Sequence, residues 1–392
     1  MPGAQAKTEE LAGRKVVPPE KPLPVVRHLY VHIPFCHRIC PYCSFYKHTP
    51  GSHDIPAFFQ GVLTEAQRAG DRFDLDLQTV YFGGGTPTLP NHRTLGGFLR
   101  ELEKILDLNR VEEFTFEANP RTFDRRKIEL LLEHGVNRIS LGVQAWDEAT
   151  LATLGRDHSP HEAEQAYRLL RDAGVPWINL DLMFSIPGQT LETWQRTLAK
   201  TIDLGPDHVS AYNLNYEEDT DFFARFERGE FTRDEDTDAA FFEIALEHLA
   251  AAGLEQYEIS NYARPGCESL HNEAYWQGHD YLGLGPGAFS TVANRRWKNV
   301  ADTALYTTLV RHGGPIQRDL EQLTESSRRT EAIALSLRTR NGVAEDLLGK
   351  SATERITHLV HQALARKVGN RLVLTSRGRL VADSVAVHLL QD

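Results

Sequence analysis

Three cysteines within eight positions carry the strongest chemical signal in this sequence: Cys36-His-Arg-Ile-Cys40-Pro-Tyr-Cys43, a C-x3-C-x2-C spacing. Thiolates so close together favour a metal centre. A structural zinc ion takes four ligands, commonly as two spaced pairs, and no second C-x2-C pair exists here. A 4Fe–4S cluster suits thiolates and has four irons, so three cysteines leave one iron open to a substrate or cofactor. On the residues alone, zinc held with His32 or His37 stays open. So does Cys267 as a fourth ligand, although a cysteine standing by itself is more often a small buried residue. Four cysteines in 392 residues make no disulfide framework, and a reducing compartment is expected.

Further groups able to do chemistry stand where short β-rich runs end. Gly83-Gly84-Gly85-Thr86-Pro87 lacks the Gly-Lys-Ser/Thr of a nucleotide P-loop, but its glycines let backbone approach closely. Glu117, Gln144 and Asp181 each close an expected strand, and Arg156 can clamp a carboxylate bidentately. A single acidic residue at a strand end is usually a cap or a solvated charge. Four suitable groups at successive strand ends are harder to dismiss.

Those ends belong to six alternating units. Strands are expected at His28–Ile33, Thr79–Phe82, Glu113–Glu117, Arg138–Val143, Trp177–Met183 and His208–Leu214. Helices are expected at Ile55–Ala69, Thr94–Leu106, Phe123–His134, Ala163–Ala173, Leu191–Asp203 and Asp238–Ala252. Short connections between them predict an α/β fold with a parallel sheet and outer helices. Residues 253–299 show little periodicity and read as an ordered functional loop region rich in Gly, Tyr, His and Asn. Three domains are expected: a flexible Pro-rich arm over 1–27, a core over 28–299, and a mostly helical domain over 300–392. The last has a strand pair near Arg371–Leu374 and a turn at Ser376–Arg379.

The cysteine loop after a first strand resembles that of the radical S-adenosylmethionine (SAM) superfamily. The resemblance implies a partial (β/α)6 barrel, a 4Fe–4S cluster on Cys36, Cys40 and Cys43, and SAM on the open iron. It also implies reductive cleavage of SAM to a 5′-deoxyadenosyl radical. The loop with Gly84, Gly85 and Thr86 resembles the one that binds the SAM amino group. The segments around Glu117, Gln144, Arg156 and Asp181 are similar to those of the HemN/HemW branch, where the matching positions contact one or two SAM molecules. By the same resemblance Tyr30, Tyr42 and Asn215 line the site.

That branch contains oxygen-independent coproporphyrinogen III oxidases, HemW-type heme chaperones, and radical SAM methylases and cyclopropanases. The oxidases carry a further cysteine two positions after the third ligand. Phe45 stands there, as in HemW-type proteins, which puts oxidase activity in doubt. His271-Asn-Glu-Ala-Tyr275-Trp276 matches the His-Asn-x-x-Tyr-Trp of HemW-type proteins, implicated in heme binding. By that resemblance His271 ligates iron, Tyr275 ligates or hydrogen-bonds, and Trp276 offers a flat apolar face. The alternative is that these residues close the bottom of the barrel. The C-terminal segment resembles the winged-helix-like tail of the branch. The resemblance as a whole implies a heme chaperone with heme, SAM and a heme-accepting protein as partners, its oligomeric state open to a homodimer. A porphyrinogen oxidase or a methylase is the alternative.

Composition narrows this further. Forty-three Lys and Arg against 54 Asp and Glu give a net charge of −11, unsuited to holding nucleic acid despite Arg377 and Arg379 in the wing-like turn. No apolar run approaches the ~20 residues of a membrane span, so at most peripheral membrane contact and a cytoplasmic location are expected.

Overall fold

Strict alternation of apolar and polar residues builds the central sheet. In β1 (His28–Ile33), Leu29, Val31 and Ile33 are fully buried on one face, and His28, Tyr30 and His32 occupy the other. The same pattern recurs in β2 (Thr79–Gly84), β3 (Glu113–Ala118), β4 (Arg138–Gln144), β5 (Trp177–Phe184) and β6 (His208–Asn213). The apolar face packs under α1 (Asp54–Gly70), α2 (His92–Glu103), α3 (Arg125–Glu133), α5 (Pro160–Asp172) and α6 (Leu191–Leu204), and a short α4 (Glu148–Thr153) lies in the connection between β4 and α5. In α2 the buried positions are Leu95, Phe98, Leu99 and Leu102, each large apolar side chain contributing about 1.5–3 kcal/mol. Ser159 and Glu162 form a capping box that starts α5, with Pro160 in its first turn. The polar face lines the barrel interior, where its groups bond across strands: His28 to Thr79, Ser140 to Asp181, and Asn179 to His208.

The computed structural model describes residues 22–51 and 54–391. Strands β1 to β6 run parallel, each paired with its successor. Beyond β6 lie α7 (Asp221–Glu227) and α8 (Glu235–Ala251), then β7 (Glu255–Gln256) and β8 (Asn261–Ala263). Strand β8 pairs antiparallel with β6. Next come α9 (Leu270–Trp276), β9 (Tyr281–Leu284), β10 (Phe289–Val292) and β11 (Arg295–Asn299), with β9 parallel on the free edge of β1. The expected loop region of 253–299 is therefore mostly short strands and one helix. Its strands are held by pairing with β1 and β6 rather than by any repeat of their own.

The chain past residue 299 continues the same body. α10 (Thr303–His312) packs on α1, where the Tyr306 hydroxyl donates to buried Glu65, and β12 (Gln317–Gln322) pairs antiparallel with β11. The twelve-stranded sheet has β7 and β12 at its two ends, which makes it an open, partial barrel. A second hydrophobic cluster runs from Ile333 to Leu389. It comprises α11 (Glu325–Leu337), β13 (Val343–Ala344), α12 (Glu345–Leu348), α13 (Thr353–His361), β14 (Ala365–Val368), β15 (Arg371–Leu374), α14 (Ser376–Leu380) and α15 (Ala382–Leu390). Its sheet has three strands, in the order β13-β15-β14, where a pair was expected. The expected turn at Ser376–Arg379 is a short helix capped by the Thr375 side chain. Arg340 N–H donates to the Tyr257 carbonyl at 2.8 Å, and the Arg379 guanidinium bonds Gln256, so this cluster abuts the barrel beside β7. Of the expected arm, 1–21 lies outside the described residues. Its remainder is anchored: Val26 is fully buried and its N–H donates to the Asp74 carbonyl at 2.8 Å.

Candidate functional site

The cysteine loop leaves the carboxyl end of β1 and is stitched at its base. Cys36 N–H donates to His48 carbonyl at 3.0 Å and His48 N–H to Pro34 carbonyl at 2.8 Å. Within it, Cys43 N–H donates to the Cys40 carbonyl at 3.2 Å. All four cysteines are free thiols. Burial pushes the Cys36 thiol up to about 11, partly offset by the Thr86 hydroxyl, and pushes Cys43 up as well. Iron binding must therefore displace protons from buried thiols.

The glycine loop after β2 runs against this base. Gly85 N–H donates to Ile33 carbonyl at 2.7 Å and Thr86 N–H to Phe35 carbonyl at 2.8 Å. A Cβ at Gly85 would stand 2.7 Å from the Ile33 carbonyl oxygen, and one at Gly84 would overlap the His32 ring. These glycines are thus required by β1 itself, and the loop's backbone is presented at the strand ends as a consequence.

A hydrogen-bond chain then links the loops at the ends of β1 to β4. Thr86 Oγ1 lies 3.8 Å from Cys36 Sγ and accepts from Asn119 Nδ2 at 3.0 Å. Arg156 Nη2 donates to Asn119 Oδ1 at 2.6 Å and to Gly142 carbonyl at 3.0 Å, and its Nη1 reaches Cys40 Sγ at 3.5 Å. Tyr42 packs on Phe222 of α7, whose N–H holds the Pro41 carbonyl at 3.1 Å. Deeper in, Glu117 accepts from the Tyr81 hydroxyl at 2.9 Å and Gly84 N–H at 3.0 Å. Asp181 accepts from Ser140 and Asn179. Burial raises both carboxyls, Glu117 to about 7 and Asp181 to about 6, and Asp181 adds to the rise at Glu117. Gln144 ends β4 with φ +69°, and Ser185 follows β5 with φ +59°. Such left-handed backbone in residues other than glycine is strained and clusters at functional sites.

The structure thus gathers Cys36, Cys40, Cys43, Tyr42, Thr86 and Arg156 into one bonded neighbourhood, with Glu117 and Asp181 beneath. Tyr30 bonds His32 at 3.0 Å within the barrel, and Asn215 is exposed beyond β6. Asn119, Tyr81, Ser140 and Asn179 went unread in the sequence. Each occupies an inward position of a strand or its immediate end, so the period-two alternation carried the missing signal.

Buried polar atoms without partners mark the same end of the barrel: Arg156 Nε, His158 Nδ1, Ser185 Oγ and Asn213 Oδ1. A ligand bearing an ammonium, a carboxylate and hydroxyls fits such a set. The zinc alternative fits poorly. His32 is engaged at both ring nitrogens, by Tyr30 and the Tyr46 carbonyl, and His37 is exposed. Cys267 lies at the other end of the strands, where its carbonyl accepts from Arg138 at the start of β4.

The opposite mouth is closed by α9. Glu113 and Arg138 form a buried pair at 3.0 Å, and the Glu113 carboxylate also accepts from Ser269 Oγ and the Leu270 and His271 N–H groups at 2.9–3.1 Å. His271 is 1% exposed. Its Nδ1 meets Thr79 Oγ1 at 2.7 Å, its Nε2 meets the Tyr275 hydroxyl at 3.1 Å, and its ring stacks on Tyr81. In this arrangement His271 and Tyr275 seal the barrel floor. Trp276 is half-buried and lines a cleft of about 320 Å³ against the C-terminal cluster, with Glu258, Glu273 and Arg371.

A parallel partial barrel with a cysteine triplet at its strand ends defines a radical SAM protein, and the family model described as the Radical SAM superfamily matches residues 30–200. The chain is 34% identical to the heme chaperone HemW of Lactococcus lactis, over 93% of this chain and 97% of that one. It is 35% identical to HemW of Mycobacterium tuberculosis, over 92% and 94%. The chain belongs to the HemW family. In fold it matches the solved coproporphyrinogen III oxidase HemN of Escherichia coli with a TM-score of 0.81 at 21% identity, over 94% of this chain and 91% of that one.

Proposed function

We propose that this protein is a heme chaperone: it binds heme and passes it to a heme-requiring protein, using a SAM-ligated 4Fe–4S cluster. The observation that carries this is the end-to-end similarity to HemW proteins, joined to a site in which the cysteine loop and the SAM candidates are bonded together. Cys36, Cys40 and Cys43 hold the cluster. Gly84, Gly85, Thr86, Glu117, Gln144, Arg156 and Asp181 hold SAM, lined by Tyr30, Tyr42 and Asn215.

When bound, the cluster and SAM supply one-electron reductive chemistry. Arg156 balances the negative charge of the thiolates and offers a guanidinium for a carboxylate. Glu117 and Asp181 face positive charge from the barrel interior. Phe45, 63% exposed, stands where the oxidases carry a further cysteine, which puts turnover of coproporphyrinogen III in doubt. The partners are SAM, heme, a heme-accepting protein and a second copy of this chain, and the location is the cytoplasm. Among the described residues no helix is long and apolar enough to cross a membrane.

The test is transfer: anaerobically reconstituted, heme-loaded protein is mixed with an apo-form heme enzyme and the enzyme's activity is followed. Recovery that depends on the loaded protein and on the cluster supports the chaperone. Recovery equal to that with free heme refutes it.

A further inference from the structure

The loops that follow β2, β3 and β4 meet at one carboxamide. Asn119 stands directly after β3 and is not among the residues assigned to SAM. Its backbone is fixed, because its carbonyl accepts from the Thr122 N–H at 3.0 Å and from the Thr122 hydroxyl at 2.8 Å. The same turn is held by Lys127, 8% exposed, whose ammonium donates to the Thr88 and Thr122 carbonyls at 2.6 Å each. A buried ammonium with donors on both carbonyls ties the loop after β2 to the turn after β3.

The side chain of Asn119 faces two ways. A guanidinium has no acceptor, so the atom that meets Arg156 Nη2 at 2.6 Å is Oδ1, and Nδ2 is the atom that donates to Thr86 Oγ1 at 3.0 Å. The Thr86 hydroxyl, accepting there, keeps its single proton for Cys36 Sγ at 3.8 Å. On the other side Arg156, held through Nη2, turns Nη1 to Cys40 Sγ at 3.5 Å. Gly142 leaves room for this contact: a Cβ there would stand 3.0 Å from Asn119 Oδ1 and 3.4 Å from Arg156 Nη2. One amide thereby directs two donors onto two different cysteine sulfurs.

We propose that Asn119 is a positioning residue for the cluster: through Thr86 and Arg156 it fixes the hydrogen bonds on the Cys36 and Cys40 sulfurs and so sets the cluster's reduction potential. This rests on the assignment of the cluster to Cys36, Cys40 and Cys43 made above. Donors aimed at the sulfurs stabilise the negative charge that reduction adds, and their loss makes the cluster harder to reduce. Substitutions separate the two arms. Asn119→Ala releases both. In Asn119→Asp one carboxylate oxygen still accepts from Arg156, but the other can only accept, so the Thr86 proton turns to it and away from Cys36. Thr86→Val removes the hydroxyl and leaves Asn119 in place, whereas Thr86→Ser keeps the hydroxyl.

The test is a redox titration of the full-length, anaerobically reconstituted protein, followed by electron paramagnetic resonance of the reduced cluster, on wild type and these four variants. Iron content and circular dichroism are recorded on each. At the potential where the wild-type cluster is half reduced, Asn119→Ala, Asn119→Asp and Thr86→Val are expected to lower the reduced-to-oxidised ratio by roughly three- to tenfold, tenfold being about 59 mV for one electron. Thr86→Ser is expected to titrate as wild type does. A wild-type potential in Asn119→Ala or in Thr86→Val, with iron and fold intact, overturns the proposal, and so does a lowered potential in Thr86→Ser. If Asn119→Ala assembles no cluster, Thr86→Val against Thr86→Ser decides. A wild-type protein that takes up no iron overturns the cluster assignment itself, and the role of Asn119 with it.

Discussion

Cys40, with Arg156 at 3.5 Å from its sulfur, is the thiol most directly tied to the SAM candidates. Replacing it with alanine removes one of three candidate ligands, and Cys40 belongs to none of the three hydrophobic clusters. Cys40→Ala is expected to lose the cluster's iron, about four atoms per chain, and its visible absorbance. Its far-ultraviolet circular dichroism should stay that of wild type. Iron and absorbance at wild-type levels would exclude Cys40 as a ligand. Glu117 gives a prediction with a pH sign. Burial holds its carboxyl at about 7, and the ionised form is the one that attracts SAM's positive charge. SAM affinity should therefore fall as pH drops below 7, by up to about tenfold per unit. Glu117→Gln should weaken SAM binding roughly 10- to 100-fold at pH 8 and flatten that dependence. Calorimetric titrations across pH 6–8 measure both, and an unchanged profile in the variant would remove Glu117 from the site.

The elements carry two kinds of information. Strands β1 to β6 and helices α1 to α3, α5, α6 and α8 were legible because each has its own periodicity and turn signals, and their observed bounds differ from the expected ones by a few residues. Strands β9 to β11, four or five residues each, were not legible, because they owe their conformation to the edges they pair with. The same dependence explains α9. Seven residues make a marginal helix alone, and this one is held by the Glu113 carboxylate at its start, by His271 stacked on Tyr81 and by Tyr275 packed edge-on against Tyr281. Glu113→Ala would leave Arg138 buried without its carboxylate partner and the first two N–H groups of α9 without their acceptor. The loss of stability expected is about 3–5 kcal/mol, measured by urea denaturation. A loss below about 1 kcal/mol would show that the floor is not held in this way.

At the scale of the whole molecule, the cluster loop and the floor occupy opposite ends of one barrel, and only the first was readable as chemistry from residue spacing. The cysteine triplet is local, so three residue types at fixed intervals sufficed. The polar lumen joining the two ends is not local: Glu117 with Tyr81, Asp181 with Ser140, and His271 with Thr79 are separated by 36, 41 and 192 positions. No short window of sequence contains such a pair. The end of the barrel escaped for the same reason, since α10 and β12 join a body whose first strand is His28–Ile33. Whether this barrel handles heme as cargo is decided by titrating heme into anaerobically reconstituted, SAM-loaded protein while assaying coproporphyrinogen III in the same preparation. Saturable binding near one heme per chain with no porphyrinogen consumed is the result predicted. Porphyrinogen turnover without stable heme binding would contradict it and make the protein an oxidase that works with Phe45 in place of the cysteine.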